Sequence, residues 1–150
     1  MNTADVATTS AWPLAPIETY LAETALPCRL ACVTDDGFPH VTSLWYLYRD
    51  GELLFSVQRS AMVSTWLAEN PQCGFEVAVN DPPYVGVRGR GTATVAPATD
   101  DTVLRSLIER FLGDDNPGLA RWLLSRTATE LTLRVRPQWL TAWDYGKRMS

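Results

Sequence analysis

The sequence has a single histidine, His40, and three cysteines, Cys28, Cys32 and Cys73. One histidine without a partner gives no Ser-His-Asp or Cys-His pattern for nucleophilic catalysis, so we interpret His40 as a surface residue of a hairpin. The cysteines are odd in number and lack the paired spacing of zinc ligands. We interpret them as reduced thiols of the core. Adjacent aspartates, as at Asp35 and Asp36, are interpreted as turn or cap residues and not as metal ligands.

The sequence also lacks a basic excess and a long apolar run. Its net charge is −4 and its pI about 4.9, so no positive field would gather nucleic acid or anionic lipid. No segment approaches the length of a bilayer-spanning helix, and the first residues lack the basic and apolar pattern of a signal peptide. We therefore expect a cytoplasmic protein with neither nucleic acid nor membrane as a partner.

The composition is that of one ordinary globular domain. The chain has 150 residues, of which 46% are hydrophobic and 20% charged. A chain of this size can bury about two-thirds of its unfolded surface in a single core. Small and polar residues at the start predict a disordered or frayed segment over residues 1–12, followed by a single domain over residues 13–150.

The stretch from residue 30 to residue 95 predicts most of the sheet. Residues 29–34, 41–48 and 52–57 have β-rich patterns separated by turn signals, which indicates a three-stranded meander. A short helix from near Ser60 to Pro71 follows, and then strands over residues 73–79 and 84–95. The last of these contains Gly86, Gly89 and Gly91, which predicts a sharp bend or the close approach of another backbone.

The flanking sequence predicts three further helices and two closing strands. One helix follows Pro13 and ends near Pro27, a second follows the cap at residues 99–101, and a third begins at Asn116-Pro117. Residues 131–136 and 139–143 have strand patterns on either side of Pro137. Together these elements predict a mainly β protein, a β-barrel of about six to seven antiparallel strands with peripheral helices.

Three segments resemble the split β-barrel superfamily of pyridoxamine 5′-phosphate oxidase and its flavin- or deazaflavin-dependent relatives. They are residues 30–41 (LACVTDDGFPHV), 84–93 (YVGVRGRGTA) and 133–139 (LRVRPQW). The resemblance implies a split barrel with an N-terminal helix, a short helix after strand three and two helices before the last strands. It also implies a homodimer that binds flavin mononucleotide (FMN) or a deazaflavin coenzyme in a groove at the subunit interface. The implied function is that of an oxidoreductase acting on an unknown small-molecule substrate.

The resemblance also implies which residues contact the cofactor. The second predicted strand is similar to the family's strand along the flavin ring, the end of the third to a neighbouring segment, and Tyr84 to a position that reaches the cofactor. The implied cofactor-binding residues are Thr42, Ser43, Leu44, Trp45, Tyr46, Ser56, Val57, Gln58, Arg59, Ser60, Met62, Val63 and Tyr84. No catalytic acid or base and no metal ligand is predicted.

The sequence departs from the family at the phosphate-binding turn. Where the oxidase presents Ser-Arg-Lys, this chain has Ala61, Met62 and Val63, which can neither donate nor carry charge from their side chains. Arg59, Ser60 and the free N–H groups of the following helix could replace them, or Arg59 is only a solvated residue and Ser60 only an N-cap. The alternative function is a degenerate, non-enzymatic split-barrel dimer that binds another ligand or none.

The remaining arginines and tryptophans allow two interpretations. Arg88 with Arg90, and Arg134 with Arg136, point to one face of their strands. They either line an anion-binding groove or form an exposed face paired with Glu76, Glu130 or Asp144. Trp45 and Trp66 are candidates for ring stacking, and core or interface packing is the alternative.

Overall fold

The computed structural model describes residues 3–149. Its helices are α1 (Leu14–Glu23), α2 (Met62–Glu69), α3 (Thr102–Phe111) and α4 (Pro117–Leu124). Its strands are β1 (Asp5–Val6), β2 (Cys28–Val33), β3 (Pro39–Leu44), β4 (Leu47–Arg49), β5 (Glu52–Gln58), β6 (Gln72–Ala78), β7 (Val85–Pro97) and β8 (Glu130–Asp144). The four helices lie where the sequence predicts them, with shifts of a few residues at their ends.

The strands form one open eight-stranded sheet in the order β3-β2-β6-β7-β8-β5-β4, with β1 added beside β8. All pairs are antiparallel except β1 with β8. This sheet with its peripheral helices confirms the predicted mainly β split barrel.

The predicted strand over residues 41–48 is wrong in one respect, because the chain divides it into β3 and β4. These two strands lie at opposite ends of the sheet order although only Trp45 and Tyr46 separate them. Tyr46 is fully buried and its hydroxyl donates to the carbonyls of Leu21 and Thr24, at 2.7 and 2.9 Å. These hydrogen bonds attach the Tyr46 side chain to the end of α1. Before Tyr46 the chain pairs with β2 as strand β3, and after it the chain pairs with β5 as strand β4. The predicted meander is therefore split across the barrel.

The barrel interior is filled by the alternate residues of these strands. Leu30, Phe55, Val77, Val87 and Leu133 have no measurable exposure. Ile17 and Leu21 of α1 join the same cluster. A second, smaller cluster of Leu47, Leu54 and Leu107 packs α3 against the other face of β4 and β5.

The paired strands β7 and β8 account for the glycine pattern. A Cβ at Gly91 would overlap the carbonyl oxygen of Arg136, and one at Gly86 or Gly89 would overlap the ring of Trp143 or Phe75. The predicted close approach of another backbone is confirmed at Gly91. The structure also joins the two predicted closing strands into β8, with an irregularity opposite Arg90 and Gly91 that accommodates Pro137.

The N-terminal segment differs from the prediction over its described part. Met1 and Asn2, which belong to the segment predicted to fray, lie outside the described residues. Asp5–Val6 pairs in parallel with Trp139 and Leu140, and the N–H groups of Ala7 and Ala11 donate to β8 carbonyls at 2.9 Å. The unpaired backbone groups of β8 explain this order, because they offer hydrogen bonds that the composition of the segment does not reveal.

The cysteines are free and buried, as predicted. Burial raises the pKa of Cys28 and of Cys73 to about 12, so neither forms a reactive thiolate near neutral pH. No helix among residues 3–149 is both long enough and apolar enough to cross a bilayer.

Candidate functional site

The outer face of the sheet carries a groove of about 640 Å³. Because strand residues alternate, Cys28, Leu30 and Cys32 of β2 point inward, and Arg29 and Ala31 point outward. The same alternation continues across β6, β7 and β8. The groove is lined by Arg29, Ala31, Val41, Gly74, Phe75, Glu76, Arg88, Gly89, Arg90 and Trp139.

The charges of this outer groove do not cancel. Arg88 forms an ion pair with Glu76 at 3.1 Å and stacks over the ring of Trp143 at 4.7 Å. Arg29 donates to the hydroxyl of Ser43 at 2.9 Å, and Arg90 stacks over the ring of Trp139 at 4.6 Å. Neither Arg29 nor Arg90 has a carboxylate within ion-pair distance in the described part of the chain.

The five residues predicted to lie along a flavin ring point in different directions. Ser43 lies on the outer face beside Arg29, whereas Thr42 and Leu44 point to the inner face and are half-buried. Trp45 stacks on Phe111 of α3 with parallel rings 5.3 Å apart. Among residues 3–149, Ser43 is the member of this group whose side chain hydrogen-bonds to a residue that lines the outer groove.

Tyr46 is a core residue in this structure. Burial raises the pKa of its hydroxyl, which is held by the two carbonyls of the α1 end. The guanidinium of Arg110 lies over the Tyr46 ring and donates to the carbonyls of Ala22, Leu21 and Thr24. Tyr46 and Arg110 thus fasten the C-terminal end of α1 to the barrel.

We predict that Tyr46→Phe destabilises the fold and has no direct effect on a ligand. The substitution keeps the ring and removes the hydroxyl, while Arg110 still donates to the carbonyls of Leu21 and Thr24, so the cost is about 0.5–1.5 kcal/mol in the free energy of unfolding. Urea unfolding of Tyr46→Phe provides the measurement, and Tyr145→Phe is the control because Tyr145 is 38% exposed. Equal stability of the two variants would contradict the structural role.

The end of β5 forms a separate polar network around Glu130. Ser56 donates to one carboxylate oxygen of Glu130 at 2.8 Å, and Gln58 donates to the other at 2.7 Å. The Gln58 carbonyl accepts from Thr129 at 2.6 Å. Glu130 is only 7% exposed, so these donors satisfy a buried carboxylate. Val57, between them, faces the core.

Sequence reasoning missed the role of Glu130. It was a candidate partner for the arginines of β8, but Arg134 and Arg136 pair with Glu52, at 3.7 and 2.9 Å. The expected pairing of Arg88 with Glu76 is confirmed. The spacing of Ser56 and Gln58 on one strand face was the available signal, since two outward polar side chains opposite a glutamate indicate a shared network.

The turn before α2 does not fit a phosphate dianion. The helix begins at Met62 and its N-cap is Ala61, so Ser60 is not the N-cap that the sequence allowed. Val63 is 6% exposed and belongs to the core, and Met62 is 53% exposed. Arg59 is the only cation within this turn, and its backbone N–H donates to the carbonyl of Thr129 at 3.0 Å.

Tyr84, predicted to reach the cofactor, and His40, interpreted as a surface residue, both lie outside the lining of the outer groove. Tyr84 is 41% exposed next to the start of β7, where its carbonyl accepts from the N–H of Tyr145 at 3.0 Å. His40, expected at the surface, is half-buried with its ring 4.7 Å from that of Trp66. Within this chain, the predicted residues do not converge on one cavity.

The split sheet, its helices and the outer groove define a protein of the split β-barrel class. A family model described as pyridoxamine 5′-phosphate oxidase matches residues 18–140, and the chain belongs to this family. No curated protein matches the sequence.

Solved structures with this fold include conserved hypothetical protein Rv2991 from Mycobacterium tuberculosis. It is 21% identical with a TM-score of 0.78, and the alignment covers 97% of this chain and 92% of that one. A structure named F420 reductase is 24% identical with a TM-score of 0.70, over 87% and 98% of the two chains. A FAD-binding protein from Mesorhizobium loti is 21% identical with a TM-score of 0.60, over 87% and 94%. Likeness at these identities establishes the fold.

Proposed function

We propose that this protein binds FMN or a deazaflavin coenzyme and is an oxidoreductase for a small molecule. The outer groove is the observation that carries the proposal. Its volume of about 640 Å³ lies within the range of roughly 300–1,000 Å³ that is usual for small-molecule sites. Membership of the pyridoxamine 5′-phosphate oxidase family and the neighbours named F420 reductase and FAD-binding protein support this ligand class.

The lining of the outer groove suits a planar, anionic ligand. Ala31, Gly74 and Gly89 form a floor of small residues on which a flat ring system can lie. Trp139 adds an aromatic wall, and the arginines add hydrogen-bond donors at the rim. When bound, the cofactor would supply the hydride chemistry, and this chain would hold and orient it.

We further propose that a second copy of the chain covers the outer groove. Val41 lies on this face with 63% of its surface exposed, beside the small residues of the floor. In a two-fold dimer the same face meets itself, so one apolar surface can close both grooves. The cofactor would then lie between the two subunits.

The alternative is a non-enzymatic dimer whose ligand is not a phosphorylated flavin. The turn before α2 favours it, because Ala61, Met62 and the buried Val63 provide neither donors nor charge from their side chains. The two proposals differ in what the purified protein does with added cofactor.

Titration with FMN and with a deazaflavin, followed by absorbance, fluorescence and thermal unfolding, separates the two. We expect saturable binding of one cofactor at micromolar concentration or below. Gly74→Leu should abolish it, because the new side chain fills the floor, and Ala22→Leu on the exposed side of α1 should not. No response to either cofactor would favour the non-enzymatic alternative, and equal binding by Gly74→Leu would exclude this groove.

Oxidoreductase activity and assembly need separate measurements. After reduction of the cofactor with dithionite, quinones and enones should reoxidise it faster on the protein than in free solution. Light scattering after size exclusion should give twice the mass of 16.7 kDa. Val41→Glu should shift the protein to the monomer, since each dimer would bury two new carboxylates.

A further inference from the structure

We propose that Arg29 and Arg90 bind the phosphate of the cofactor in the outer groove, in place of the turn before α2. This assignment rests on the proposed cofactor-binding function and deepens it. The ligand chemistry is a phosphate group carried by a flat ring system, and FMN and a deazaflavin are its two sources.

The first argument is charge. The whole chain has a net charge of −4, yet three arginines and one glutamate line the outer groove. Arg88 and Glu76 neutralise each other at 3.1 Å. Glu76 is also the cross-strand neighbour of Arg29, so the three arginines share a net charge of +2, and Arg90 is the arginine farthest from Glu76 in the strand register. This positive charge attracts an anion to the outer groove although the chain as a whole is acidic.

The second argument is the position of the two guanidinium groups. Arg29 is on β2 and Arg90 on β7, and β6 runs between them with Gly74 paired to both Ala31 and Arg90. Neighbouring strands are about 4.8 Å apart and Arg29 lies two residues along β2 from Ala31, so the Cα atoms of Arg29 and Arg90 are separated by roughly 12 Å, with Gly74 beside Arg90 and Glu76 beside Arg29 on the strand between them. Two long arginine side chains can reach one anion across this distance.

The third argument is donor availability. Arg90 makes no side-chain hydrogen bond among residues 3–149, and its guanidinium is oriented by the ring of Trp139. Stacking uses the face of the guanidinium and leaves the in-plane N–H donors free for an oxyanion. Arg29 uses one of its terminal nitrogens for Ser43 and has further donors.

The fourth argument concerns the proposed dimer. If two outer grooves meet across a two-fold axis, the net charge of +2 in one groove lies close to the net charge of +2 in the other. Like charges in a desolvated interface are destabilising, and a bound anion on each side offsets them. The turn before α2 contributes only Arg59 and an uncharged first helical turn.

The test compares FMN with riboflavin, which has the same ring and no phosphate. The variants are Arg29→Gln, Arg90→Gln and Arg59→Gln, with Arg105→Gln on the exposed face of α3 as the matched control. Wild type should bind FMN roughly ten- to hundredfold more tightly than riboflavin, the value of a charged hydrogen-bond pair. Arg90→Gln and Arg29→Gln should each remove most of this preference and leave riboflavin affinity unchanged.

Two results would overturn the assignment. One is the loss of the phosphate preference in Arg59→Gln with its retention in Arg90→Gln, and the other is equal wild-type affinity for FMN and riboflavin. A deazaflavin titration with the same four variants determines whether that phosphate uses the same arginines. Circular dichroism and the thermal midpoint of each variant verify folding.

One further experiment distinguishes a failure of this phosphate-site assignment from a failure of the proposed cofactor-binding function. If neither flavin nor deazaflavin binds, inorganic pyrophosphate serves as the probe. An increase of the thermal midpoint by pyrophosphate in wild type and Arg105→Gln, absent in Arg90→Gln, would support the anion site without the cofactor. No increase in wild type, or the same increase in Arg90→Gln, would reject it.

Discussion

Gly91→Ala should lower the free energy of unfolding by at least about 3 kcal/mol, because the new methyl group has no space. Its Cβ would overlap the backbone carbonyl of Arg136, and the next contacts also belong to the backbone of β8. A flexible side chain could rotate away, but here the paired strands would have to separate. The site lies at the irregular register between β7 and β8, the most extensively paired strands of the sheet.

Thermal and urea unfolding measure this effect. For a domain of this size, 3 kcal/mol corresponds to a decrease of the midpoint by roughly 6–12 °C. Gly74→Ala is the matched control, because its nearest contact outside the adjoining residues is the Gly89 carbonyl at 3.7 Å. That variant should remain within about 1 kcal/mol of wild type. Similar losses in both variants would show that a methyl group at any of these sheet glycines is costly, and that the contact with β8 does not determine the effect.

Much of the fold could be predicted because local signals agree with the tertiary structure. The strands predicted over residues 29–34 and 52–57, the turn at residues 35–37 and the Asn116-Pro117 helix start all appear as expected. The failures have tertiary causes. Tyr46 divides a predicted strand because α1 holds its hydroxyl, and residues 5–6 become a strand because β8 has unpaired edge groups. Neither partner is adjacent in the sequence.

The site was harder to predict for a similar reason. Motif matching names positions along a strand, but it does not determine which residues face the core, as Tyr46, Val57 and Val63 do. The outer groove combines β2, β6, β7 and β8, which are distant in the sequence. The sequence allowed Arg88 and Arg90 either to bind an anion or to pair with Glu76, but it did not determine that Arg88 alone would pair and that Arg90 would have no carboxylate partner among residues 3–149.

Val63→Lys should destabilise the protein strongly, by at least about 3 kcal/mol at neutral pH. Val63 is 6% exposed and belongs to the main core cluster, so a lysine there must bury its ammonium or lose a proton. The folded-state pKa of that lysine would be depressed below its usual value. The destabilisation relative to wild type should therefore shrink as the pH rises toward 10, where the neutral amine costs less to bury. Urea unfolding at pH 7 and pH 10 measures both effects, and a pH-independent loss would indicate a packing defect.

Met62→Lys is the matched control and also tests the turn before α2 as a phosphate site. Met62 is adjacent to Val63 and 53% exposed, so the lysine can remain in water and stability should change by less than about 0.5 kcal/mol. If Arg29 and Arg90 hold the phosphate, the new charge should change FMN affinity by less than about threefold. A gain of tenfold or more, near the value of one charged hydrogen bond, would place the phosphate at this turn instead. Because Val63 faces the core, Met62 is the one position of the family's Arg-Lys pair from which a basic side chain can reach an anion here.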